Sequence, residues 1–446
     1  MSQLPRYESY KDSGVQWLGG IPSHWAVVRL DQGCEIVRGN TGFSKADLLE
    51  EGQYVALQYG RTYKVDEINN TFSSYVNEEF YKLSQIAMYG DTVLISTSET
   101  IEDLGHSCFY ARQDIGLIGG EQFLLKVNQG EKFGKYLYYL SKAFSGYLRK
   151  YATGTKVYRF NTDHLKKIYI PQIPFNEQKI IADFLDKRLA QVDALIAKQE
   201  TLLEKLAEQR VALISHAVTK GLNPDVEMKK TGIKWIGDIP KHWKIMGLKK
   251  SLASIVDYRG KTPEKVEQGV FLVTARNIKN GFIDYSLSKE YVEEDLYLDI
   301  MSRGLPEIGD VLLTTEAPLG EIAQIDKTDI ALAQRIIKFR GKKDVINNTF
   351  LKYFMLSRSF QDSLYTYSSG STAIGIKAER LSYLKVAVPP LEEQEFISNF
   401  IAEGVHDIDG MVDKVHQTIQ VLREYRSTLI TQVVTGKIDV RNLKVN

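Results

Sequence analysis

The chain repeats itself. SGVQWLGGIPSHW at 13–25 matches TGIKWIGDIPKHW at 231–243 at an offset of 218, with seven identities in thirteen: Gly14/Gly232, Trp17/Trp235, Gly19/Gly237, Ile21/Ile239, Pro22/Pro240, His24/His242 and Trp25/Trp243. All four tryptophans lie in this repeat. A second match, at an offset of 216, aligns IPFNEQKIIADFLDKRLAQVDALI from Ile173 with PPLEEQEFISNFIAEGVHDIDGMV from Pro389. There Pro174/Pro390, Glu177/Glu393, Gln178/Gln394, Phe184/Phe400 and Asp193/Asp409 coincide. YGDTVLIST against IGDVLLTTE, and TGTKVYRF against SGSTAIGI, are weaker echoes. Self-similarity at so long a period makes the chain a tandem duplication. Each copy is a globular region followed by a helix, and duplication implies a pseudo-two-fold arrangement.

At 446 residues there is room for two cores of ordinary domain size. The expected division is a first domain at 1–175, a helix at 176–222, a second domain at 223–390, and a second helix with a tail at 391–446. Within the globular halves, VVRL, EIVRG, YVALQY, TVLIST, SCFYA and FLLKV are short strand-like runs bounded by Gly, Asn and Asp, as are FLVTARN, DVLLTT and IIKF in the second copy. Helical spacing appears at 132–153 and near 349–366. The fold class is α+β.

The segments after each half carry the clearest periodicity. Stepping alternately by four and three from Ile181 through Leu185, Arg188, Val192, Leu195, Gln199, Leu202, Leu206 and Gln209 to Leu213 gives mostly apolar residues, and so does the matching series from Ile397 to Leu429. This predicts two long helices packed as an antiparallel coiled coil. Ile180, Phe184, Leu189, Ile196, Leu203 and Ile214 fall beside that series and predict an apolar flank free for a partner, with Phe184 and Phe400 as docking rings.

Catalytic constellations are not evident. There is no GxxxxGK[ST] loop, and the glycines of IGLIGGEQF lack dinucleotide spacing. Seven histidines form no HExxH or His/Cys cluster, and Cys34 and Cys108 supply neither a disulfide framework nor a zinc knuckle. His24 and His242, recurring beside Trp, read as packing residues. VPPLEEQ lacks the flanking residues of an amino-methyltransferase NPPY-type motif and reads as a helix entry. No apolar run reaches the roughly 18 residues of a membrane span. A net charge of +1 confines any nucleic-acid surface to local patches. The best one runs from Tyr147 to Lys167, where Arg149, Lys150, Lys156, Arg159, Lys166 and Lys167 interleave with Tyr147, Tyr151, Tyr158 and Phe160 against the single acid Asp163. It suits phosphate contact and base readout. It suits equally a solvated helix face with core aromatics.

The WLGGIPSHW and WIGDIPKHW openings, the IPFNEQKIIADFL and PPLEEQEFISNFI helix entries and the two-copy layout together resemble the specificity subunit of type I restriction-modification enzymes, over essentially the whole chain. That resemblance implies two target-recognition domains, each reading one half of a split duplex DNA site. The helices would serve as spacer and as platform for two methyltransferase subunits. It implies a non-catalytic chain in the prokaryotic cytoplasm, with S-adenosylmethionine on the methyltransferase partner and ATP and Mg on restriction subunits. Expected DNA contacts are loop residues with donor chemistry: Arg38, Asn40, Arg61, Lys64, Ser96, Thr97, Lys156, Tyr158 and Arg159 in the first domain. In the second they are Arg259, Lys261, Arg276, Asn277, Lys279, Thr314, Thr315, Arg335, Ser371 and Lys377. Arg38 in VRGNT and Arg259 in YRGKT sit at equivalent places by sequence. A fused methyltransferase would instead carry a cofactor motif. A DNA-independent scaffold would show no salt-dependent DNA binding.

Overall fold

The computed structural model describes residues 4–127, 133–260, 263–370 and 374–443. The chain divides into two units, residues 1–199 with 417–446, and residues 200–416. The division cuts both long helices in the middle, so it differs from a cut at the helix starts. Each unit combines one globular domain, the first half of the helix that follows it and the second half of the other helix.

In the first unit a five-stranded sheet has the order Glu35–Arg38, Gln122–Lys126, Thr92–Ile95, Ser107–Tyr110, Glu67–Ile68, its last pair parallel. A four-stranded sheet runs Tyr75–Val76, Tyr54–Leu57, Gly116–Ile118, Ile86–Ala87. The central strands are apolar on both faces, and the helix Gly134–Leu148 adds Tyr136, Leu137, Leu140 and Phe144 to the core.

The second unit repeats this plan with Leu252–Asp257, Ile336–Gly341, Val311–Thr315 and Leu319–Gln324 in one sheet, and Tyr291–Val292, Val270–Val273 and Ile330–Leu332 in another. Gly281 bridges in parallel to Ala323, which corresponds to Cys108, so it takes the place of Asp66, one residue before the Glu67 that stands opposite Phe109 in the first copy. The expected helix near 349–366 is two helices, Asn348–Leu356 and Arg358–Thr366. Between them Ser357 bends away from helical geometry and caps the second through Phe360 N–H at 3.4 Å.

The long helices span Phe175–Lys220 and Leu391–Val434. The period read from sequence is correct, but its phase is one residue off at alternate steps. The inward series is Ile181, Leu185, Leu189, Val192, Ile196, Gln199, Leu203, Leu206, Arg210 and Leu213, while Arg188, Leu195, Leu202 and Gln209 are exposed. Leu189, Ile196 and Leu203, expected on a free flank, therefore lie in the seam. In the first unit Leu185 and Leu189 share a core with Leu429, Ile430 and Val433. In the second, Ile214 and Val218 share one with Ile397 and Ile401. Within each unit the two helix segments run antiparallel, as the pairs Asp193 with Arg426 and Arg210 with Asp409 require.

Candidate nucleic-acid interface

The duplicated motifs assemble the frame that holds the candidate surface. In both copies a turn closed by Gly19 or Gly237 at positive φ donates back to Val15 or Ile233, which folds the tryptophan-containing segment into a compact module. Trp25 and Trp243 are fully buried. Trp25 donates to Glu177 at 3.2 Å, Tyr7 Oη donates to the same carboxylate at 2.6 Å, and His24 Nε2 lies 3.0 Å from it. His242 Nε2 lies 2.7 Å from Glu393. The two histidines thus belong to the frame, where they fasten the module to the helix entry. The next residue does a different task. Gln178 accepts from Phe133 N–H at 3.0 Å and donates to Ile173 O, while Gln394 accepts from Asn347 N–H at 2.7 Å and donates to Val345 O and Pro389 O. The Glu-Gln step therefore ties module, domain helix and long helix together in each copy.

On that frame, the end of a central strand and a closed loop meet in both domains. Thr97 and Ser98 pair with Arg159 and Tyr158, and Phe160 N–H donates to Ser96 O. Thr153 and Arg159 exchange backbone hydrogen bonds, which closes the loop carrying Lys156. In the second domain Ser369 and Gly375 exchange the same pair, and Ile376 N–H donates to Thr315 O. The weak echo TGTKVYRF/SGSTAIGI is thus one structural device used twice. Gly154 has φ +107°, and a Cβ there would sit 2.1 Å from Val157 O, so the loop needs this glycine.

The expected contact residues divide by exposure. Arg38, Asn40, Arg61, Lys64, Lys156, Arg159, Arg276, Lys279, Arg335 and Lys377 are exposed, and Tyr158 is partly so. Arg276 and Arg335 line one cleft of about 320 Å³, where Arg335 Nε also pairs with Glu316 at 3.1 Å. Ser96 and Thr97 are buried under the loop. Asn277, Thr314 and Thr315 are corrected to framework roles. Asn277 is fully buried and spends both ends of its amide on Thr274, Asp284 and Leu287. Thr314 Oγ1 accepts from Glu321 N–H, and Thr315 Oγ1 donates to Arg335 O. Lys261 and Ser371 lie outside the described residues.

Arg38 and Arg259 are not counterparts. Arg38 stands opposite Phe123, which stands opposite Leu94; in the second copy Asp257 stands opposite Ile337, which stands opposite Leu313. Arg38 therefore corresponds to Asp257, and the matching RG pairs are two residues out of register. Arg259 instead folds back on Asp257, with Nε 2.9 Å from each carboxylate oxygen, and donates from Nη1 to Ile376 O at 2.9 Å. Burial opposes the Asp257 charge, but the Arg259 hydrogen bonds outweigh it and hold the carboxyl below its ordinary value.

The basic-aromatic stretch proves to be partly frame and partly surface. Phe160 is buried and stacks on Phe123 at 5.9 Å, and Tyr151 stacks on His164 at 5.5 Å. Lys156, Arg159, Lys166 and Lys167 remain exposed.

Two surfaces suited to proteins accompany these edges. In the first unit a groove of about 1240 Å³ is lined by Val192, Leu195, Lys198, Val421, Leu422, Tyr425 and Ile438. In the second, Phe396 is 69% and Phe400 46% exposed. Phe184 is corrected from docking ring to core, at 9%. Among the described residues no cluster of His, Cys, Asp and Glu is arranged for a metal, and no helix is long and apolar enough to cross a membrane.

A doubled α+β domain with matching polar edges on long helices defines a tandem recognition protein. The chain belongs to the type I restriction modification DNA specificity family, whose domain matches residues 22–205 and again 241–420. It is a recognition component and not a catalyst. It is similar to the type I restriction enzyme MjaVIII specificity subunit of Methanocaldococcus jannaschii, 26% identical over 97% of this chain and 98% of that one. It is also similar to the EcoKI specificity subunit of Escherichia coli, 20% identical over 94% and 90%. Among solved structures, a chain from a study of complex assembly and conformational transition of the type I R-M system superposes with a TM-score of 0.69 at 14% identity, covering 93% of this chain and 98% of that one. The HsdS subunit of Thermoanaerobacter tengcongensis superposes with a TM-score of 0.52 at 14% identity, over 94% and 98%.

Proposed function

We propose that each globular domain reads one half of a bipartite, asymmetric duplex site, and that the long helices set the gap and dock two methyltransferase subunits. The observation that carries this reading is the recurrence of one device, a strand end capped by a closed loop and edged with exposed cations, in domains whose side chains there differ. Shared backbone with unlike side chains suits two readers of two sequences, since base contacts specify and phosphate contacts position. Lys156, Tyr158 and Arg159 with Arg38 and Arg61 form the first reading edge; Arg276, Lys279, Arg335 and Lys377 form the second.

Leu195 and Val421, with Phe396 and Phe400, are the apolar side chains offered to the methyltransferase subunits. S-adenosylmethionine belongs to those subunits, and ATP with Mg belongs to restriction subunits that join the complex in the prokaryotic cytoplasm. The test is a methylome of cells that express this chain with its methyltransferase partner. A single split motif that disappears with this chain is expected; a contiguous motif, or methylation independent of the chain, overturns the reading.

A further inference from the structure

Arg210 and Arg426 stand 216 residues apart, the offset of the helix repeat, and each occupies an inward seam position. Arg426 Nε donates to Asp193 at 3.0 Å on the other helix, and its Nη2 lies 3.3 Å from Asp66 in the recognition domain. Asp66 also takes Lys142 Nζ at 2.6 Å from the domain's own helix. The second copy repeats the arrangement. Arg210 Nη1 donates to Asp409 at 2.6 Å, and Nη2 to the carbonyl of Asn280 at 3.2 Å. Asn280 precedes Gly281, whose parallel bridge to Ala323 places Gly281 where Asp66 stands, since Ala323 faces Leu312 as Cys108 faces Val93. The second copy therefore takes its contact from the residue next to the point that Asp66 occupies in the first. One planar guanidinium thus joins three bodies in each unit: the helix that bears it, the opposing helix and the domain. Both side chains are mostly covered, at 27% and 22% exposed.

A polar residue at a seam position costs stability and fixes register, because only one register presents its partner. A forked donor also fixes angle, which a flexible ammonium does less well. We propose that Arg210 and Arg426 are positioning residues that lock the helix register beneath each recognition domain and the angle at which the domain leaves the helices, thereby restricting the protein to a single gap length. This rests on the bipartite-site reading above. Each base pair added to a gap moves the half-sites apart by about 3.4 Å and turns them by about a tenth of a helical turn. A domain freed to rock by a few ångströms therefore accepts the neighbouring gap with no change in the bases read.

The test uses the complex of this chain with its methyltransferase partner on a DNA library whose two half-sites are fixed and whose gap varies. Arg426→Gln, Arg210→Gln and Asp66→Asn are compared with wild type, and Arg426→Lys serves as partial rescue. In each of the three loss variants, methylation at gaps one base pair longer or shorter should rise about tenfold relative to the native gap, a typical size for coupling carried by residues outside both sites. The half-site bases should stay the same. Asp66 lies at the domain surface, so Asp66→Asn keeps the test open if an arginine variant fails to fold. Variants that assemble normally yet keep one gap length, or lose methylation evenly at all gaps, overturn the proposal. If wild type itself shows no split site, it is the bipartite reading that falls.

Discussion

The indole N–H of Trp25 donates to Glu177 at 3.2 Å, whereas Trp243, its counterpart, buries the same nitrogen with no partner among the described residues. The difference lies in how each carboxylate is held. Glu177 is 6% exposed and is met by Tyr7, Trp25 and His24, while the Glu393 side chain is 29% exposed and meets His242. The same motif therefore carries unequal weight in the two copies.

Glu177→Ala strands two buried donors and should cost about 3 kcal/mol, against about 1 kcal/mol for Glu393→Ala, whose partner reaches solvent. Urea unfolding of both variants measures this. Equal losses would show that the hydrogen-bond count at the helix entry does not set its strength.

Asp91 and Asp310 immediately precede corresponding strands and lie in opposite electrostatic settings. Lys338 and Arg340 reach Asp310 at 2.8 and 2.7 Å and, with the Glu307 N–H, outweigh its burial to hold it below the ordinary carboxylate value. In the first copy Leu124 stands where Lys338 stands, and burial pushes Asp91 up to about 6. A carboxyl raised on folding binds its proton more tightly in the native state, so stability falls as pH rises from about 4 to about 6. Asp91→Asn should flatten that slope and stabilise the chain at pH 8 by about 2 kcal/mol, since raising a pKa by one costs the charged form about 1.4 kcal/mol. Asp310→Asn should instead lower stability evenly across pH 4 to 8, because stability from a lowered pKa is fully present above the unfolded value of about 4 and is lost only as pH falls below it. Thermal unfolding from pH 4 to 8 separates the two, and parallel profiles would refute the contrast.

Arg38 and Arg259 should behave differently despite their matching sequence contexts. Arg38 is exposed at a strand end, so Arg38→Ala should cost about 1–3 kcal/mol of DNA binding and relax one half-site. Arg259 is committed to Asp257 and Ile376, so Arg259→Ala should lower stability and weaken the second half-site across all sequences. Gel shifts over a randomised half-site distinguish these outcomes; base-specific relaxation by Arg259→Ala would return it to the reading edge.

Phe396 and Phe400 lie one turn apart on an exposed helix face, whereas Phe184 is core. The double change Phe396→Asp and Phe400→Asp should leave unfolding unchanged and weaken methyltransferase assembly by at least about 2 kcal/mol, the level of an interface hot spot. Phe184→Asp should unfold the first unit. Light scattering of the complex and melting of the isolated chain report the two effects, and full assembly by the double variant would move the docking surface elsewhere.

What the sequence revealed, and what it hid, follow from the range of each interaction. The duplication, the strands and the heptad period are local or self-referential, and all are visible in the chain. The seam phase was not, because Leu195 and Leu202 are apolar yet exposed while Arg210 is charged yet turned inward to Asp409. Gln178 and Gln394 looked like helix-entry residues because the groups they hold, Phe133 and Asn347, lie 45 and 47 residues away. The RG pairs misled because each strand's register is set by sheet partners far along the chain, Phe123 for Arg38 and Ile337 for Asp257. Asn277 has good donor chemistry, but a loop folding back on itself uses it up. One signal for the clamp was readable throughout: Arg210 and Arg426 are identical at the repeat offset.

The helical ruler can be tested without disturbing either reading edge. The long helices contain 46 and 44 residues, about 69 and 66 Å at 1.5 Å per residue. Inserting four residues in one helix near Lys198 adds about 6 Å, but it breaks a seam that repeats every seven. Seven residues inserted after Lys198 and seven after Gln417 keep the seam and lengthen both helices by about 10.5 Å, close to three base pairs of duplex. The recognised gap should grow by about three base pairs while both half-sites keep their bases, as read by the methylome of the insertion variant. An unchanged gap with altered bases would mean that the domains, and not the helices, measure the distance between the half-sites.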